Sequence, residues 1–147
     1  MPLNGGTSEP LTKGKVPDSI ISALFFGLSP DDKLLAYPVT DLTGTDPRIV
    51  LLSLTPENVS PRMLKAHQRI SGGIQFTRDG KAVAYPIRNN GVDNVWMQPL
   101  SGSSPGRKIT NFKSEQIRQF DWSPDGKILG VIQHHNDSDV VLIREKD

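Results

Sequence analysis

Ser123-Pro124-Asp125-Gly126-Lys127-Ile128-Leu129-Gly130-Val131 decides the fold, because the chain contains the same phrase two more times. The earlier copies run from residue 29 to 37 and from residue 77 to 85. Their first aspartates are Asp31, Asp79 and, in the third copy, Asp125, so the phrase recurs at steps of 48 and 46 residues. A fixed period of this size is typical of repeat architectures. Such a scaffold does not by itself name its ligand.

Each copy is expected to form a tight turn between two strands. Proline presets the backbone of the first turn position, aspartate hydrogen-bonds nearby backbone, and glycine adopts the left-handed conformation without a steric penalty. Asp32 stands where the other copies have glycine, and aspartate tolerates that region better than most residues. We therefore expect positive φ at this position in all three turns. The turn residues are Asp31, Asp32, Asp79, Gly80, Asp125 and Gly126.

Short strands are expected before and after each turn. The first copy predicts strands at 24–28, 34–37, 49–54 and 62–65; the second at 73–76, 82–85, 94–100 and 107–110; the third at 118–122, 128–132 and 139–144. Runs such as Ile49-Val50-Leu51-Leu52 are apolar on both sides of a strand, so both faces need cover. The sequence predicts an all-β fold, a partial β-propeller of three four-stranded antiparallel blades.

The predicted blades divide the chain, a single propeller segment over 1–147, into four parts. Residues 1–15 form a closing strand and linker, 16–65 blade one, 66–111 blade two, and 112–147 blade three, which lacks its fourth strand. The orphan strand Glu9–Thr12 has the phase of a fourth strand, so we expect it to pair beside Val140–Ile143 of this chain or of another copy. The segment 16–28 is longer and more apolar than a blade's usual first strand.

Composition excludes several classes of function. The net charge is +1, which gives no large field to attract nucleic acid, so no nucleic-acid partner is expected. The absence of cysteine removes disulfides, thiolate metal sites and cysteine nucleophiles. The longest apolar stretch, residues 20–28, is too short to span a bilayer. No signal peptide is visible, which leaves a cytoplasmic location by default and a periplasmic location of a parent protein open.

The repeats resemble the TolB-like β-propellers, a family related to the WD-repeat propellers. The three turn phrases match the family's F-S-P-D-G-K-x-L-A-Y pattern, Asn94–Leu100 matches its I-W-V-x-x-L strand, and Gly5–Thr12 matches its G-G-x-P-x-x-L-T element. The C-terminal part also resembles the tail of bacterial proteins in which such repeats follow a serine/threonine kinase or a winged-helix regulator. The resemblance implies a kinase-associated signalling context, although no kinase motif is present in this chain.

The candidate chemical groups favour structural roles. Adjacent histidines such as His134 and His135 point to opposite sides of an extended segment and rarely serve one metal ion. No serine lies in a Gly-x-Ser-x-Gly elbow. We therefore expect no catalytic, cofactor-binding or metal site, and we interpret Trp96 and Trp122 as core residues in preference to a ligand platform. The turn aspartates are interpreted as turn formers in preference to acidic ligands, since equivalent turns of successive blades lie apart.

Any ligand surface is expected on the loops that join the blades, at residues 65–72 and 112–117. These loops carry charged and polar side chains that are candidates by position only: Lys65, His67, Arg69, Lys113, Glu115 and Gln116.

Two classes of function remain open. The first is a non-catalytic module that binds an unknown protein or small-molecule ligand within a larger bacterial signalling protein. The second is the gating propeller of a serine peptidase. The sequence ends at Asp147, just after a predicted strand, and we expect this to argue against the second class. Three blades do not close a ring, since propellers carry about four to eight. We therefore expect further blades, in a longer chain, or a second copy joined head to tail.

Overall fold

The computed structural model describes residues 19–20, 26–41, 43–55, 60–102 and 104–135. Eleven strands lie within these ranges. They are β1 Ser19–Ile20, β2 Gly27–Leu28, β3 Leu34–Thr40, β4 Arg48–Ser53, β5 Arg62–Lys65, β6 Gln75–Phe76, β7 Ala82–Asn89, β8 Val92–Pro99, β9 Arg107–Lys108, β10 Gln116–Trp122 and β11 Leu129–His134. No helix in the described part of the chain is long and apolar enough to cross a membrane.

The strands form three antiparallel sheets. Sheet one has the order β1-β3-β4-β5, with β2 also paired to β3; sheet two has the order β6-β7-β8-β9; sheet three pairs β10 with β11. The predicted all-β, antiparallel architecture is confirmed. The expected strands at 9–12 and 139–144 lie outside the described residues, so the closing strand and a fuller third blade remain predictions.

The first strand of every sheet is interrupted near its start. In sheet one, Ile20 pairs with Val39 and Gly27 with Ala36, so seven positions on one strand span three on its neighbour. In sheet two a bridge joins Ile70 to Ile87 before β6 begins, and in sheet three a bulge separates the pairings of Ile117 and Gln119. The described residues of segment 16–28 form two short strands, β1 and β2, on one edge of β3.

Two apolar cores hold the three sheets together. The first lies between sheets one and two and is built mainly from Ala36, Ile49, Leu51, Ile74, Phe76, Val83 and Tyr85. The second lies between sheets two and three and contains Ala84, Val95, Ile117 and Phe120, with Trp122, Leu129 and Val131 packed against it. Sheet two is therefore covered on both faces, as the continuous apolar runs predict.

The turns of successive sheets touch one another. Asp32, Gly80 and Gly126 have φ values of 57°, 67° and 71°, as expected. A Cβ atom on Gly80 would lie 3.7 Å from Cδ of Pro30, and one on Gly126 would lie 3.2 Å from Cβ of Arg78. Each turn's second residue thus packs against the glycine of the next turn.

A buried carboxylate joins sheets two and three at the opposite end. Asp93 is fully buried and accepts hydrogen bonds from Arg88 at 2.8 and 2.9 Å. It also accepts the Ile117 backbone N–H of sheet three at 2.9 Å and the Ser71 hydroxyl, from the link between sheets one and two, at 3.3 Å. Asp93 therefore has both the counter-ion and the hydrogen bonds that a buried carboxylate needs.

Candidate ligand-binding groove

A large cavity opens between the outer strands of sheets one and two. We call it the intersheet groove; its volume is about 1130 Å³. One wall is the end of β5 and the link after it, residues 64–69, and the floor is the face of β8 that carries Asn94, Trp96 and Gln98. The far wall comprises parts of the β8–β9 loop, Lys108 and residues 111–113. The groove thus brings together parts of both loops that the sequence predicts as ligand-bearing.

Trp96 is the central side chain of the floor. Its ring centroid lies 4.6 Å from that of His67, with the ring planes tilted by 55°. Its Nε1 is buried and has no hydrogen-bond partner among the described residues. A Cβ on Gly106, whose φ is +86°, would lie 2.6 Å from this nitrogen, so the glycine backbone closes over the indole N–H. The exposed part of Trp96 therefore offers the groove an apolar surface only.

A hydrogen-bond network fixes the β5 wall against the floor. The Tyr85 hydroxyl donates to Gln98 Oε1 at 2.5 Å and accepts the His67 backbone N–H at 3.0 Å. Gln98 Nε2 donates to the Lys65 carbonyl at 2.8 Å. Burial raises the pKa of Tyr85 to about 12, so the hydroxyl keeps its proton at neutral pH. The backbone of the wall is therefore held by two buried side chains of sheet two.

His67 is a neutral hydrogen-bond donor in this wall. Its Nδ1 accepts the Arg69 backbone N–H at 3.1 Å. Partial burial and the nearby Arg69 guanidinium lower the pKa of His67 below its usual value. With Nδ1 acting as an acceptor, the proton of the neutral ring lies on Nε2.

The far wall is positioned by Asn94. Its Oδ1 accepts the Phe112 backbone N–H at 2.7 Å and the Thr110 hydroxyl at 3.0 Å, and its Nδ2 donates to the Phe112 carbonyl at 3.3 Å. A side chain on the floor thus fixes the backbone that carries Asn111 and Lys113.

The groove is lined by cations and by no carboxylate among the described residues. Lys65 and Arg69 lie on one wall, and Lys108 and Lys113 on the other. Asn111 Oδ1 accepts from Nζ of Lys108 at 3.3 Å and from Nζ of Lys113 at 3.4 Å. One neutral oxygen therefore accepts hydrogen bonds from two ammonium groups. None of the four cationic residues forms an ion pair with a described acidic residue.

The candidates chosen by position divide into two groups. Four of the six, Lys65, His67, Arg69 and Lys113, line the groove. Glu115 and Gln116 do not: the Glu115 carbonyl accepts the Asp93 N–H at 3.0 Å, and Gln116 pairs with His134 in sheet three.

Sequence reasoning missed the floor and part of the far wall. Trp96 packs against the first core, as expected, and also lines the groove. Lys108 and Asn111 were not anticipated as groove residues. The alternation of Asn94, Trp96 and Gln98 on one face of a strand was the available signal, because every second side chain of a strand points the same way.

The turn aspartates form local hydrogen bonds. Asp31, Asp79 and Asp125 each accept from the Ser or Thr hydroxyl two residues earlier at 2.6 Å. Each also accepts the lysine backbone N–H two residues later, and these bonds lower the pKa of all three carboxyls. No group of three or more His, Cys, Asp or Glu side chains capable of holding a metal is found within the ranges described.

Comparison with solved structures relates the fold to known propellers. The chain is similar to TolB from Acinetobacter baumannii (23% identity, TM-score 0.60, covering 76% of this chain and 26% of that one) and to a putative TolB from Agrobacterium tumefaciens (21%, 0.65, 88% and 43%). It is also similar to an acylaminoacyl peptidase from Pyrococcus horikoshii (21%, 0.57, 88% and 20%). The fold is therefore that of a TolB-like propeller, and the chain spans less than half the length of each of these proteins.

Sequence comparison is less informative. No family model matches the chain. Among curated proteins, it is 27% identical over 132 residues to the phosphatidylinositol 4-phosphate 3-kinase C2 domain-containing subunit alpha of Pongo abelii, covering 84% of this chain and 7% of that protein.

Proposed function

We propose that this chain is a non-catalytic β-propeller segment of a longer protein and that it binds a ligand in the intersheet groove. The observation that carries the proposal is the groove itself, an aromatic floor between two cationic walls whose backbones are fixed by Tyr85, Gln98 and Asn94. Ligand sites are commonly concave, largely pre-formed and apolar with a few placed polar groups. The cationic walls can also bind a negatively charged partner, which is compatible with the interaction or sensory role expected of the module.

Blocking the groove tests this proposal. Ser104 lies exposed in the β8–β9 loop and lines the groove, so Ser104→Trp places a bulky ring across it. The purified chain is panned against a displayed random-peptide library, and the binders are then measured on the variant. We expect their binding to be lost in Ser104→Trp and kept in Lys127→Trp, which adds the same ring at a turn of sheet three. Binders unaffected by Ser104→Trp, or no binders, would contradict the proposal.

A second proposed function is the gating propeller of a serine peptidase. The likeness to the acylaminoacyl peptidase favours it, although at 21% identity that likeness shows the fold alone. If it is correct, the full-length gene product will react with a fluorophosphonate probe, which labels activated serines, while the present chain will not. An unlabelled full-length product leaves the binding module as the proposed function.

The association with a bacterial serine/threonine kinase is a further part of the proposal. It depends on the sequence resemblance of the C-terminal segment and not on the solved structures, none of which is a kinase. Sequencing the reading frame upstream of this chain tests it: a kinase or winged-helix domain there supports the signalling role.

A further inference from the structure

We infer that the intersheet groove takes an acidic peptide segment, held extended along the floor between the two cationic walls. This inference rests on the proposed binding function, because it names the chemical class of the ligand for that same groove. The repeated turns are not involved, and the apolar surface of the groove borders the two cores.

Charge is the first observation. Four cationic residues line the groove, two from each wall, and no Asp or Glu of the described residues lines it. Lys108 and Lys113 approach the same Asn111 oxygen, which is neutral and cannot offset their mutual repulsion. A ligand carboxylate between them relieves that repulsion and gains charge-assisted hydrogen bonds from both.

The floor argues against a bare anion. Leu64, Ile87, Trp96 and Phe112 give the groove apolar surface, which an inorganic anion would leave in contact with water. Successive side chains of an extended peptide point to opposite sides. A peptide that alternates apolar and acidic residues can therefore turn its apolar side chains to Trp96 and its carboxylates to the lysine-bearing rim.

The size and polarity of the groove fit the same ligand. Its volume of about 1130 Å³ lies just above the range of small-molecule pockets, about 300–1,000 Å³, and suits a peptide segment. Nε2–H of neutral His67 supplies a donor for a peptide carbonyl or carboxylate oxygen. The indole N–H of Trp96 does not, since Gly106 closes over it.

The first test varies the ligand. A fluorescein-labelled peptide of alternating Glu and Leu is titrated with the purified chain and followed by fluorescence anisotropy, beside the same peptide with Gln in place of every Glu. We expect the Glu peptide to bind about tenfold or more tightly than the Gln peptide, with affinity that falls as salt is added. Equal affinity for both peptides, or displacement of the Glu peptide by an equal concentration of inorganic phosphate, would overturn the inference.

The second test varies the groove. The double variant Lys108→Gln/Lys113→Gln should weaken binding of the Glu peptide by about fivefold to tenfold, since exposed charge pairs contribute modestly. The matched control is Lys81→Gln/Lys127→Gln, which removes two exposed lysines from the turns and should leave the affinity unchanged. Thermal melting of both variants verifies folding. A groove variant that melts like the parent chain and binds with parental affinity would overturn the inference.

The two proposals fail separately. If the library peptides fail to bind the Ser104→Trp variant but contain no excess of Asp and Glu, the groove binds peptides and the inference of an acidic peptide ligand is wrong. If the Glu peptide and the library both give no binder, the proposed function falls together with the inference.

Discussion

At the scale of single residues, the repeated turns do more than reverse the chain. Asp32, Gly80 and Gly126 all adopt positive φ, which glycine tolerates best. Gly80 and Gly126 also lie against the preceding turn, whereas Gly44, in the β3–β4 hairpin, has positive φ and no atom near its missing Cβ. The chain therefore contains glycines that are needed for φ alone and glycines that are needed for both φ and close approach.

Substitutions at these positions should separate the two effects. We expect Gly44→Ala to lower the free energy of unfolding by about 1 kcal/mol through φ alone. Gly126→Ala should cost more, because its new methyl lies 3.2 Å from Cβ of Arg78. Asp32→Gly should raise the free energy of unfolding by about 0.5–1 kcal/mol. Urea denaturation measures all three, and an equal cost at Gly44 and Gly126 would show that the contact between turns has no energetic role.

Tyr85 gives a prediction about pH. Its folded pKa of about 12 lies above the ordinary value of 10.0, so the unfolded chain loses this proton first as the pH rises. The stability linked to Tyr85 is therefore fully present below pH 10 and is lost between about pH 10 and 12. Tyr85→Phe should lower stability at neutral pH by about 1–2 kcal/mol, because His67 N–H and Gln98 lose a partner.

The same variant should also flatten the alkaline decline. Denaturation curves from about pH 8 to 12 are the measurement, and Tyr37→Phe is the comparison, which should flatten the decline less. Tyr37 is only partly buried, and its raised pKa comes from burial alone. Parallel pH profiles for the parent chain and Tyr85→Phe would contradict the assignment.

At the scale of elements, the sequence predicts the strands better than their contacts. The turn chemistry and apolar runs locate ten of the eleven described strands, all but β1, to within about four residues, because both signals are local. The interruption of the first strand in each sheet cannot be predicted from the sequence, since it depends on pairing with a neighbouring strand. The groove is missed for a related reason: the pairing of β8 with β9 places Lys108 beside Trp96, and residues 64–69 face them only when sheets one and two are packed.

The Asp93 carboxylate makes the contacts between elements whose contribution to the free energy of unfolding is most directly predicted. Removing it in Asp93→Ala leaves the Ile117 N–H without its acceptor and Arg88 without its counter-ion. Arg88 is 41% exposed, so water compensates part of the loss, and we expect a cost of about 2–4 kcal/mol. The control is Asp121→Ala, whose pair with Arg78 spans 3.6 Å with both side chains exposed and should cost less than about 1 kcal/mol.

Arg88→Met provides the complementary measurement. It leaves a fully buried carboxylate without a cation, so it should destabilise the fold by at least as much as Asp93→Ala. A cost for either variant no larger than that of Asp121→Ala would show that the contact between sheets two and three does not depend on this carboxylate.

At the scale of the whole molecule, the two end sheets differ. Three blades leave two outward faces without a neighbour, so the apolar runs predict exposed apolar residues on both end sheets. In sheet one this holds in part: Val50 and Leu52 are 4% and 8% exposed, whereas Leu28 and Met63, on the same face, are 49% and 53% exposed. Sheet three matches the expectation better, since Ile128 and Ile132 are 67% and 58% exposed. The face of sheet three is therefore where we propose that a further blade or a second copy packs.

Self-association of the isolated chain should therefore depend on sheet three. We expect the purified chain to associate or precipitate at concentrations on the order of tens of micromolar, because exposed apolar patches favour contacts between molecules. The double variant Ile128→Lys/Ile132→Lys should shift it toward monomer, whereas Met63→Lys, at an exposed position of sheet one, should have a smaller effect. Light scattering measures the molecular mass. A parent chain that stays monomeric and folded at these concentrations would show that the exposed isoleucines need no cover, and with it the packing of another blade on this face would lose its physical basis.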